Sequence, residues 1–311
     1  MTFTITTKTN SFWAYLQLMR PANIVTAWAD ILAGVGASGF FLVLGEKIQQ
    51  GEILTNLIPL GYLLIATTGL YSGGIVLNDA FDADVDAQER PERPIPSGRA
   101  SRQGAFILGS TLLSIGVLAA SQVSHLSAIL AASIATAAVL YDAFGKHHAV
   151  FGPLNMGVCR GVNLLLGVSI VPPMVGQYWF LALIPITYIA AITTLSQGEV
   201  HGGKKGNARA ASILISMVFA SFFGLSLLKN YNLLTALPFA VFLAVRVLLP
   251  MIAAIREPNP EKIRTAVRAG VLSVIVLNAT LTSGFAGLLC GLLVLSLLPI
   301  SLTLAKTFAV T

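Results

Sequence analysis

The chain has 311 residues, and its composition separates it from ordinary soluble proteins. Hydrophobic residues make up 55% of it and charged residues only 10%, with a mean hydropathy of +0.81, whereas soluble domains carry about a quarter charged residues. The net charge of +6 would suit a nucleic-acid partner, but the bases are scattered between apolar segments instead of forming one patch. The composition therefore predicts a membrane protein that does not bind nucleic acid.

About ten apolar stretches are long enough to cross a bilayer, which takes roughly 20 apolar residues per helix. They lie near residues 23–44, 56–78, 104–122, 124–142, 150–171, 178–197, 209–228, 232–255, 264–282 and 284–303. Continuous apolar runs indicate helices rather than barrel strands, and a helix satisfies its own backbone hydrogen bonds in lipid. The sequence therefore predicts an all-α, polytopic transmembrane helical bundle.

Residues 1–22 precede the first predicted span, and we expect them to form an interfacial segment. Side chains such as Phe12, Trp13 and Tyr15 suit the membrane surface. No basic leader with a short apolar core precedes the span, so we expect no cleavage. The predicted organisation is an interfacial segment over residues 1–22 and a single transmembrane domain over residues 23–305.

Basic residues are distributed unevenly between the two sides of the predicted bundle. If the loops alternate sides from the amino terminus onward, most of the 19 Lys and Arg residues fall on the amino-terminal side, whereas Lys47 and Lys229 fall on the other. Cytoplasmic loops are enriched in Lys and Arg. We therefore expect a multi-pass integral membrane protein whose amino-terminal side, which also carries the acidic motif, faces the cytoplasm or its organellar equivalent.

The sequence NDAFDADVD occupies residues 78–86, at the end of the second predicted span. If the helix continues, spacings of three and four residues place Asn78, Asp79, Asp82 and Asp86 on one face. Carboxylates on one face repel one another unless a cation neutralises them, and hard oxygen ligands suit Mg2+. The alternative, a solvated acidic loop, would require neither fixed spacing nor an apolar helix leading into it. The cluster therefore predicts a magnesium site that a diphosphate would complete.

The sequence ERPERPIPSGR follows at residues 89–99. Its guanidinium groups can form paired hydrogen bonds with phosphate oxygens, and its prolines stiffen the loop. The same bases also fit a cytoplasmic loop that sets membrane orientation, and the two roles are compatible.

Polar residues inside predicted spans are candidates for function because burying them in lipid is costly. Arg160 and Asn163 are three residues apart in the fifth span, so they can share a face towards a cavity. Arg160 is placed to bind a diphosphate or an acidic acceptor. For Asp30 in the first span and Asn278 in the ninth, we favour hydrogen bonds between helices.

Several of these segments resemble the UbiA-type intramembrane prenyltransferases. Residues 78–86 resemble the NDxxDxxxD motif of that family, and RPIPSG at residues 93–98 resembles the RPxPSG that follows it. Similar segments are RPAN at 20–23, YDAFGK at 141–146 and CRGVN at 159–163. The resemblance covers most of the chain. It implies about nine, possibly ten, helices around a central cavity that opens to lipid, with two polar motifs on one side.

The residue chemistry and the resemblance together assign candidate roles to individual residues. The residues implied to hold Mg2+ are Asn78, Asp79, Asp82, Asp86 and Glu199. Those implied to bind the diphosphate are Arg93, Arg99, Lys146, Lys204 and Lys205. Those implied to line the cavity and the acceptor site are Arg160, Asn163, Tyr141, Gln197, His201 and Asn23.

The second motif departs from the family pattern. The family usually has an Asp-rich DxxxD sequence after the sixth span, whereas this chain reads SQGEVHGGKKGN over residues 196–207, with Glu199 as the only carboxylate. This variant is similar to the UbiA-like EboC subgroup. Lys204 and Lys205 would replace part of the missing metal charge, although they fit a topological role equally well. His201 equally fits an interfacial loop.

Two functions agree with these features. The first is transfer of a prenyl group from an isoprenoid diphosphate to an aromatic or other lipophilic acceptor, with Mg2+ as the cofactor and the lipid bilayer as the surrounding medium. The second is a non-catalytic UbiA-like protein that binds or transports a lipid-linked or small aromatic molecule. The altered second motif favours the second function, and the intact first motif favours the first.

Overall fold

The computed structural model describes residues 11–49, 53–145, 148, 150–197 and 205–308, with residues 46–49, 53–55 and Lys205 as backbone only. Over these residues the chain is all-α, which confirms the predicted fold class. The helices are α1 Ser11–Met19, α2 Pro21–Ala37, α3 Phe40–Gln49, α4 Ile53–Phe81, α5 Ala83–Glu89, α6 Arg102–Ser121, α7 His125–Leu140, α8 Phe151–Val168, α9 Pro173–Tyr178, α10 Leu183–Ser196, α11 Lys205–Leu225, α12 Leu233–Arg256, α13 Pro260–Ala286, α14 Leu288–Leu295 and α15 Leu297–Thr307. A π-helical turn, Tyr141–Gly145, continues α7, and a 3-10 turn, Trp179–Ala182, joins α9 to α10.

In the described part of the chain, eight helical stretches are long and apolar enough to cross a membrane. They are Asn56–Phe81, Arg102–Ser121, His125–Gly145, Pro173–Ser196, Gly206–Leu225, Leu233–Arg256, Pro260–Ala286 and Leu288–Thr307. The other two predicted apolar stretches contain α2, which has only 17 residues, and α8, which carries Asn155, Arg160 and Asn163. All ten predicted stretches are therefore mostly helical, although residues 23–44 form two helices that break at Ser38 and Gly39, and residues 284–303 break at Gly287 and Ser296. Helices α2 and α8, which fall short of a typical span, are largely buried within the bundle.

Side-chain caps fix where several of these helices begin. Ser101 Oγ accepts a hydrogen bond from the Gly104 amide at 3.0 Å at the start of α6. Asn259 Oδ1 accepts one from the Lys262 amide at 2.9 Å at the start of α13. Such caps satisfy backbone donors that have no partner within the first turn of a helix. Residues next to each helix in the sequence thus help to set these helix starts.

Glycines bring α2 and α8 into backbone contact at the centre of the bundle. A Cβ atom added to Gly34 would lie 2.1 Å from the Leu164 carbonyl oxygen. One added to Gly167 would lie 2.3 Å from the Ile31 carbonyl oxygen. Only glycine permits such an approach, which is a common way to pack helices in membranes. The close crossing places polar side chains of the two helices within hydrogen-bonding distance.

Helix α13 packs against α2 and is the most buried of the eight candidate spans. Asn278 Nδ2 of α13 donates a hydrogen bond to Asp30 Oδ1 of α2 at 2.7 Å. The predicted helix-to-helix role of these two residues is confirmed. The bond joins segments 248 residues apart in the sequence and ties the carboxyl-terminal half of the bundle to its first long helix.

Helix α1 packs near the end of α4 that carries the acidic motif. Ala14 and Leu18 are buried in a cluster that includes Ala80 of α4, whereas Phe12 and Trp13 are exposed. Exposed aromatic side chains agree with an interfacial position. The predicted division into residues 1–22 and 23–305 remains a prediction, because residues 1–10 lie outside the described part of the chain.

Candidate functional site

A cavity of about 620 Å³ lies among α2, α4, α5, α7, α8, α10 and α13. Charged and amide side chains line one part of it, and aliphatic side chains such as Leu70, Ile189, Val271 and Val274 line much of the rest. Asn78 near the end of α4 and Ser196 at the end of α10 both line it. The ends of these helices therefore meet at one cavity, in agreement with their predicted positions on the same side.

The acidic motif reaches this cavity across a break in the helix. Helix α4 ends at Phe81 and α5 begins at Ala83, with Asp82 between them. The Asp82 amide still donates to the Asn78 carbonyl oxygen at 2.9 Å, and the Asp86 amide donates to the Asp82 carbonyl oxygen at 2.8 Å. The four-residue spacing survives the break, and Asn78, Asp82 and Asp86 all line the cavity.

Asp79 differs from the other three motif residues, because it does not line the cavity and is instead held by two arginines. Its Oδ1 atom lies 2.7 Å from Arg20 Nη2 and 3.3 Å from Arg93 Nη1. The same Arg93 Nη1 lies 2.7 Å from Asp86 Oδ2. Arg93, predicted to bind diphosphate, also lines the cavity, as does Arg20. Asp79 and Asp86 are thus already paired with cations that could equally contact phosphate oxygens.

Arg20 and Asp142 are two site residues to which sequence reasoning assigned no role. Asp142 lies in the π-helical turn after α7, is 4% exposed, and accepts a hydrogen bond from Asn78 Nδ2 at 2.9 Å. Its signal in the sequence is an acid at the end of an apolar span, which is costly to bury without a partner. The corresponding signal for Arg20 is its place directly before Pro21 at the start of the first span. Asp142 fixes the orientation of the Asn78 amide.

A second polar group lies deeper in the bundle. Arg160 Nε lies 3.2 Å from Asp30 Oδ2, and Arg160 Nη2 donates to the Thr26 carbonyl oxygen at 3.1 Å. Asn163 Nδ2 donates to Asp30 Oδ2 at 3.0 Å, and Asn163 Oδ1 accepts from Thr67 Oγ1 at 2.8 Å. Arg160 and Asn163 both line the cavity, in agreement with their predicted common face.

The remaining predicted site residues divide into three groups. Asn23 and Tyr141 line the cavity. Two others do not line it: Arg99 donates to Gln17 Oε1 at 2.8 Å and to the Glu92 carbonyl oxygen at 2.6 Å, and Gln197 Oε1 accepts from Asn207 Nδ2 at 2.9 Å. The residues outside the described part of the chain are Lys146, Glu199, His201 and Lys204, and the Lys205 side chain is outside it as well.

The donor set can be tested against the predicted magnesium ion. Among the described residues, no group of three or more His, Cys, Asp or Glu side chains is arranged to hold a metal. Mg2+, however, usually binds one or two carboxylates and takes its other ligands from substrate phosphates and water. Asp82, Asp86 and the Asn78 amide provide such a set at the cavity wall. They fit an ion shared with a bound diphosphate better than one enclosed by protein.

Comparisons with known proteins agree with this geometry. The sequence profile described as the UbiA prenyltransferase family matches residues 40–271. Digeranylgeranylglyceryl phosphate synthase from Methanothrix thermoacetophila is 34% identical over 152 residues, which is 49% of this chain and 52% of that protein. The synthase of the same name from Methanosarcina mazei is 30% identical over 156 residues, or 50% of this chain and 54% of that protein. The chain thus spans about half the length of these curated relatives.

Solved structures with low sequence identity have the same fold. A structure of digeranylgeranylglyceryl phosphate synthase superposes with a TM-score of 0.65 at 18% identity, covering 89% of this chain and 99% of that one. The apo structure of a UbiA homolog from Aeropyrum pernix K1 gives a TM-score of 0.65 at 17% identity, covering 82% of this chain and 96% of that one. At these identities the likeness establishes the fold.

Proposed function

Because this chain belongs to the UbiA prenyltransferase family, we propose that it transfers a prenyl group from an isoprenoid diphosphate to a lipophilic acceptor inside the cavity. The observation that carries the proposal is the composition of the cavity wall. Asn78, Asp82, Asp86 and Arg93 line the same chamber as aliphatic side chains of α10 and α13. A charged head and an apolar tail can both be accommodated there.

In this proposal Mg2+ is bound by Asn78, Asp82 and Asp86, with Asp79 and Glu199 as further candidate ligands. When bound together with the substrate, the ion would neutralise charge on the diphosphate and so make it a better leaving group. Arg93 and Arg20 are already at the carboxylates, and each has donors to offer to phosphate oxygens. Lys146, Lys204, Lys205 and Arg99 stay candidates for the same task.

The chemical step requires the allylic C–O bond of the donor to break, with the bonding electron pair leaving on the diphosphate. The positively charged side chains around the cavity stabilise that negative charge. The acceptor then forms a bond to the prenyl carbon and loses a proton. The rings of Tyr71 and Tyr141, which both line the cavity, can stabilise positive charge on the prenyl group through their π faces.

An intramembrane site suits a prenyl substrate because of its tail. Each CH2 group removed from water contributes about 0.8 kcal/mol, so a long prenyl chain partitions into lipid. The aliphatic part of the cavity wall continues this environment. We further propose that the motif side faces the cytoplasm or its organellar equivalent, which the distribution of basic residues supports.

The identities of donor and acceptor are open within this class. The curated relatives carry the name digeranylgeranylglyceryl phosphate synthase, which supports including geranylgeranyl donors and glyceryl phosphate acceptors among the compounds to test. The SQGEVHGG variant of the second motif instead supports the EboC subgroup. Aromatic acceptors, which the sequence analysis also predicts, belong to the same panel.

The test uses the purified full chain with Mg2+, labelled prenyl diphosphates of several lengths and this panel of acceptors, with diphosphate release as the readout. We expect release with at least one pair, and its loss in Asp82→Ala. The matched control is Asp84→Ala, because the Asp84 side chain is 83% exposed and its carboxylate pairs with Arg102 at 3.0 Å. Equal turnover in wild type and Asp82→Ala would overturn the proposed role of the motif.

The second candidate function is a non-catalytic protein that binds or transports a lipid-linked or small aromatic molecule. It is favoured by the single carboxylate in residues 196–207. The same experiment separates the two functions. Tight binding of prenyl diphosphates without release, at every chain length and with every acceptor, would favour the binding protein.

A further inference from the structure

The cavity has a second polar region, away from the acidic motif. We call it the inner polar wall and define it by the cavity-lining residues Thr26, Thr67, Tyr71, Arg160 and Asn163. Thr67 precedes Asn78 in α4 by 11 residues, so the helical rise separates the two by roughly 16 Å along the helix. The Thr67 end of this wall therefore lies beyond a diphosphate held at the motif, and it is free to meet another part of a ligand.

The inner polar wall contains one formal charge, and that charge is already neutralised. Arg160 Nε lies 3.2 Å from Asp30 Oδ2, and the Asp30 side chain is completely buried. Asp30 also receives hydrogen bonds from Asn163 at 3.0 Å and from Asn278 at 2.7 Å. The other residues that define the wall are uncharged. A carboxylate or phosphate placed here would lose its hydration without gaining a free counter-charge, which is unfavourable in a medium of low polarity.

The wall nevertheless retains capacity to donate a hydrogen bond. Arg160 Nη2 donates to the Thr26 carbonyl oxygen at 3.1 Å and to Thr26 Oγ1 at 3.2 Å. The buried Nη1 atom has no hydrogen-bond partner among the described residues. Arg160 also lies 5.2 Å from the centre of the Tyr71 ring, which holds the guanidinium beside the cavity. Buried donors are almost always paired in native proteins, so this atom is available to an oxygen that enters the cavity.

From these contacts we propose that the inner polar wall binds a neutral, oxygen-bearing group of the acceptor, namely a hydroxyl, an ether or a carbonyl. It selects against a carboxylate or a phosphate at this position. The inference rests on the proposed function, in which the acceptor enters the same cavity as the prenyl diphosphate. The expected acceptor therefore places a neutral oxygen-bearing group at the inner polar wall. If the acceptor also has an anionic group, that group binds at another part of the cavity.

The test compares neutral and anionic probes of matched shape, with binding to the purified full chain measured by titration calorimetry in the absence of prenyl diphosphate. One pair is para-hydroxybenzamide and para-hydroxybenzoate, and the other is hexylglycerol and its phosphate. An ionised group loses more hydration than a neutral amide or hydroxyl on entering this site, where it gains no free counter-charge. We therefore expect wild type to bind each neutral member at least about tenfold more tightly than its anionic partner.

Two variants separately test the neutralised charge of Arg160 and the hydrogen-bond donor at its Nη1 atom. Asp30→Asn keeps the shape of the side chain but leaves Arg160 with an uncompensated charge, so the preference should shift towards the anionic probes. Arg160→Lys keeps the charge beside Asp30 but removes Nη1, so affinity for the neutral probes should fall. Arg246→Lys is the matched control. Like Arg160, Arg246 lies within a helix, donates a hydrogen bond to a hydroxyl, Ser273 Oγ at 3.1 Å, and lies near an aromatic ring, 5.8 Å from the centre of Phe242. Unlike Arg160, it does not line the cavity.

Any one of three results would overturn the inference that the wall prefers neutral groups. They are preference for the anionic probes in wild type, absence of saturable binding for all four probes, and an unchanged preference in Asp30→Asn. If Asp30→Asn does not fold, the comparison of wild type with Arg160→Lys still tests the inference. Equal affinity of these two proteins for the neutral probes would exclude a role for Arg160 Nη1. Binding of a labelled prenyl diphosphate with Mg2+, measured in parallel, reports on the proposed function separately. Failure there leaves the probe preference intact.

Discussion

Arg20 Nη2 lies 2.7 Å from Asp79 Oδ1, which joins the turn between α1 and α2 to the acidic motif at the end of α4. Arg20 has a φ of 47°, a left-handed conformation that residues with a Cβ adopt at some energetic cost. The two side chains are only 15% and 7% exposed. The amino-terminal helix is thus anchored to the residues that the sequence identifies as the centre of the site.

The first prediction concerns this ion pair. Arg20→Ala leaves a largely buried carboxylate with only the longer contact to Arg93, so we expect a loss of stability of about 1–3 kcal/mol, below the full cost for a completely buried pair. Thermal unfolding in detergent measures it. Lys262→Ala removes an exposed partner of Glu257 and should change stability by less than about 1 kcal/mol. A similar loss in both variants would show that burial does not strengthen the Arg20 contact.

The second prediction concerns the Asn78 amide. Asp142→Ala removes the acceptor of Asn78 Nδ2, and an amide without its partner costs about 1–3 kcal/mol and no longer has a fixed orientation. An energy of this size corresponds to about a tenfold change in affinity. We therefore expect Mg2+-dependent binding of a prenyl diphosphate to be roughly tenfold weaker in this variant. Asp142→Asn keeps an acceptor oxygen and should lose less. If Asp142→Ala binds as wild type does, Asp142 does not orient Asn78.

The third prediction concerns the crossing of α2 and α8. Gly34→Ala would place a methyl group 2.1 Å from the Leu164 carbonyl oxygen. Separating the two backbones should cost about 2–3 kcal/mol, in the range of overpacked cores, and should disturb the Asp30–Arg160 contact. Gly224→Ala is the matched control, since its added methyl group meets nothing within 4 Å and should stabilise α11 by up to about 1 kcal/mol. Thermal unfolding of both variants measures the difference, and equal midpoints would contradict the close contact.

The fourth prediction concerns removal of the metal. Chelation of Mg2+ should weaken binding of a prenyl diphosphate by roughly 100-fold or more, since Asp82 and Asp86 would then repel the phosphates. Mn2+ should restore binding better than Zn2+, because carboxylate and amide oxygens suit hard octahedral cations. The measurement is a titration with each ion at constant ionic strength. Undiminished binding after chelation would show that arginines alone hold the diphosphate.

The sequence alone predicted the main apolar helical stretches and the shared face of Asn78, Asp82 and Asp86. In the described residues each of the ten predicted stretches is mostly helical, because spanning length and apolar composition are local properties. The breaks within residues 23–44 and 284–303 were not predicted. Asn78, Asp82 and Asp86 share a face because residues four apart along a helix do so wherever it is packed. The roles assigned to Glu199, His201 and the lysines near them stay predictions, since those side chains lie outside the described residues.

Contacts between distant segments depended on the tertiary structure alone. Asp79 shares its spacing with the other motif residues, yet it binds Arg20, 59 positions away in the sequence. Asp142 reaches Asn78 across 64 positions, and Arg160 reaches Thr26 across 134. Helical periodicity fixes which face a side chain takes. Which other helix meets that face is decided by how closely the backbones approach, as at Gly34 and Gly167, and that packing depends on the whole bundle at once.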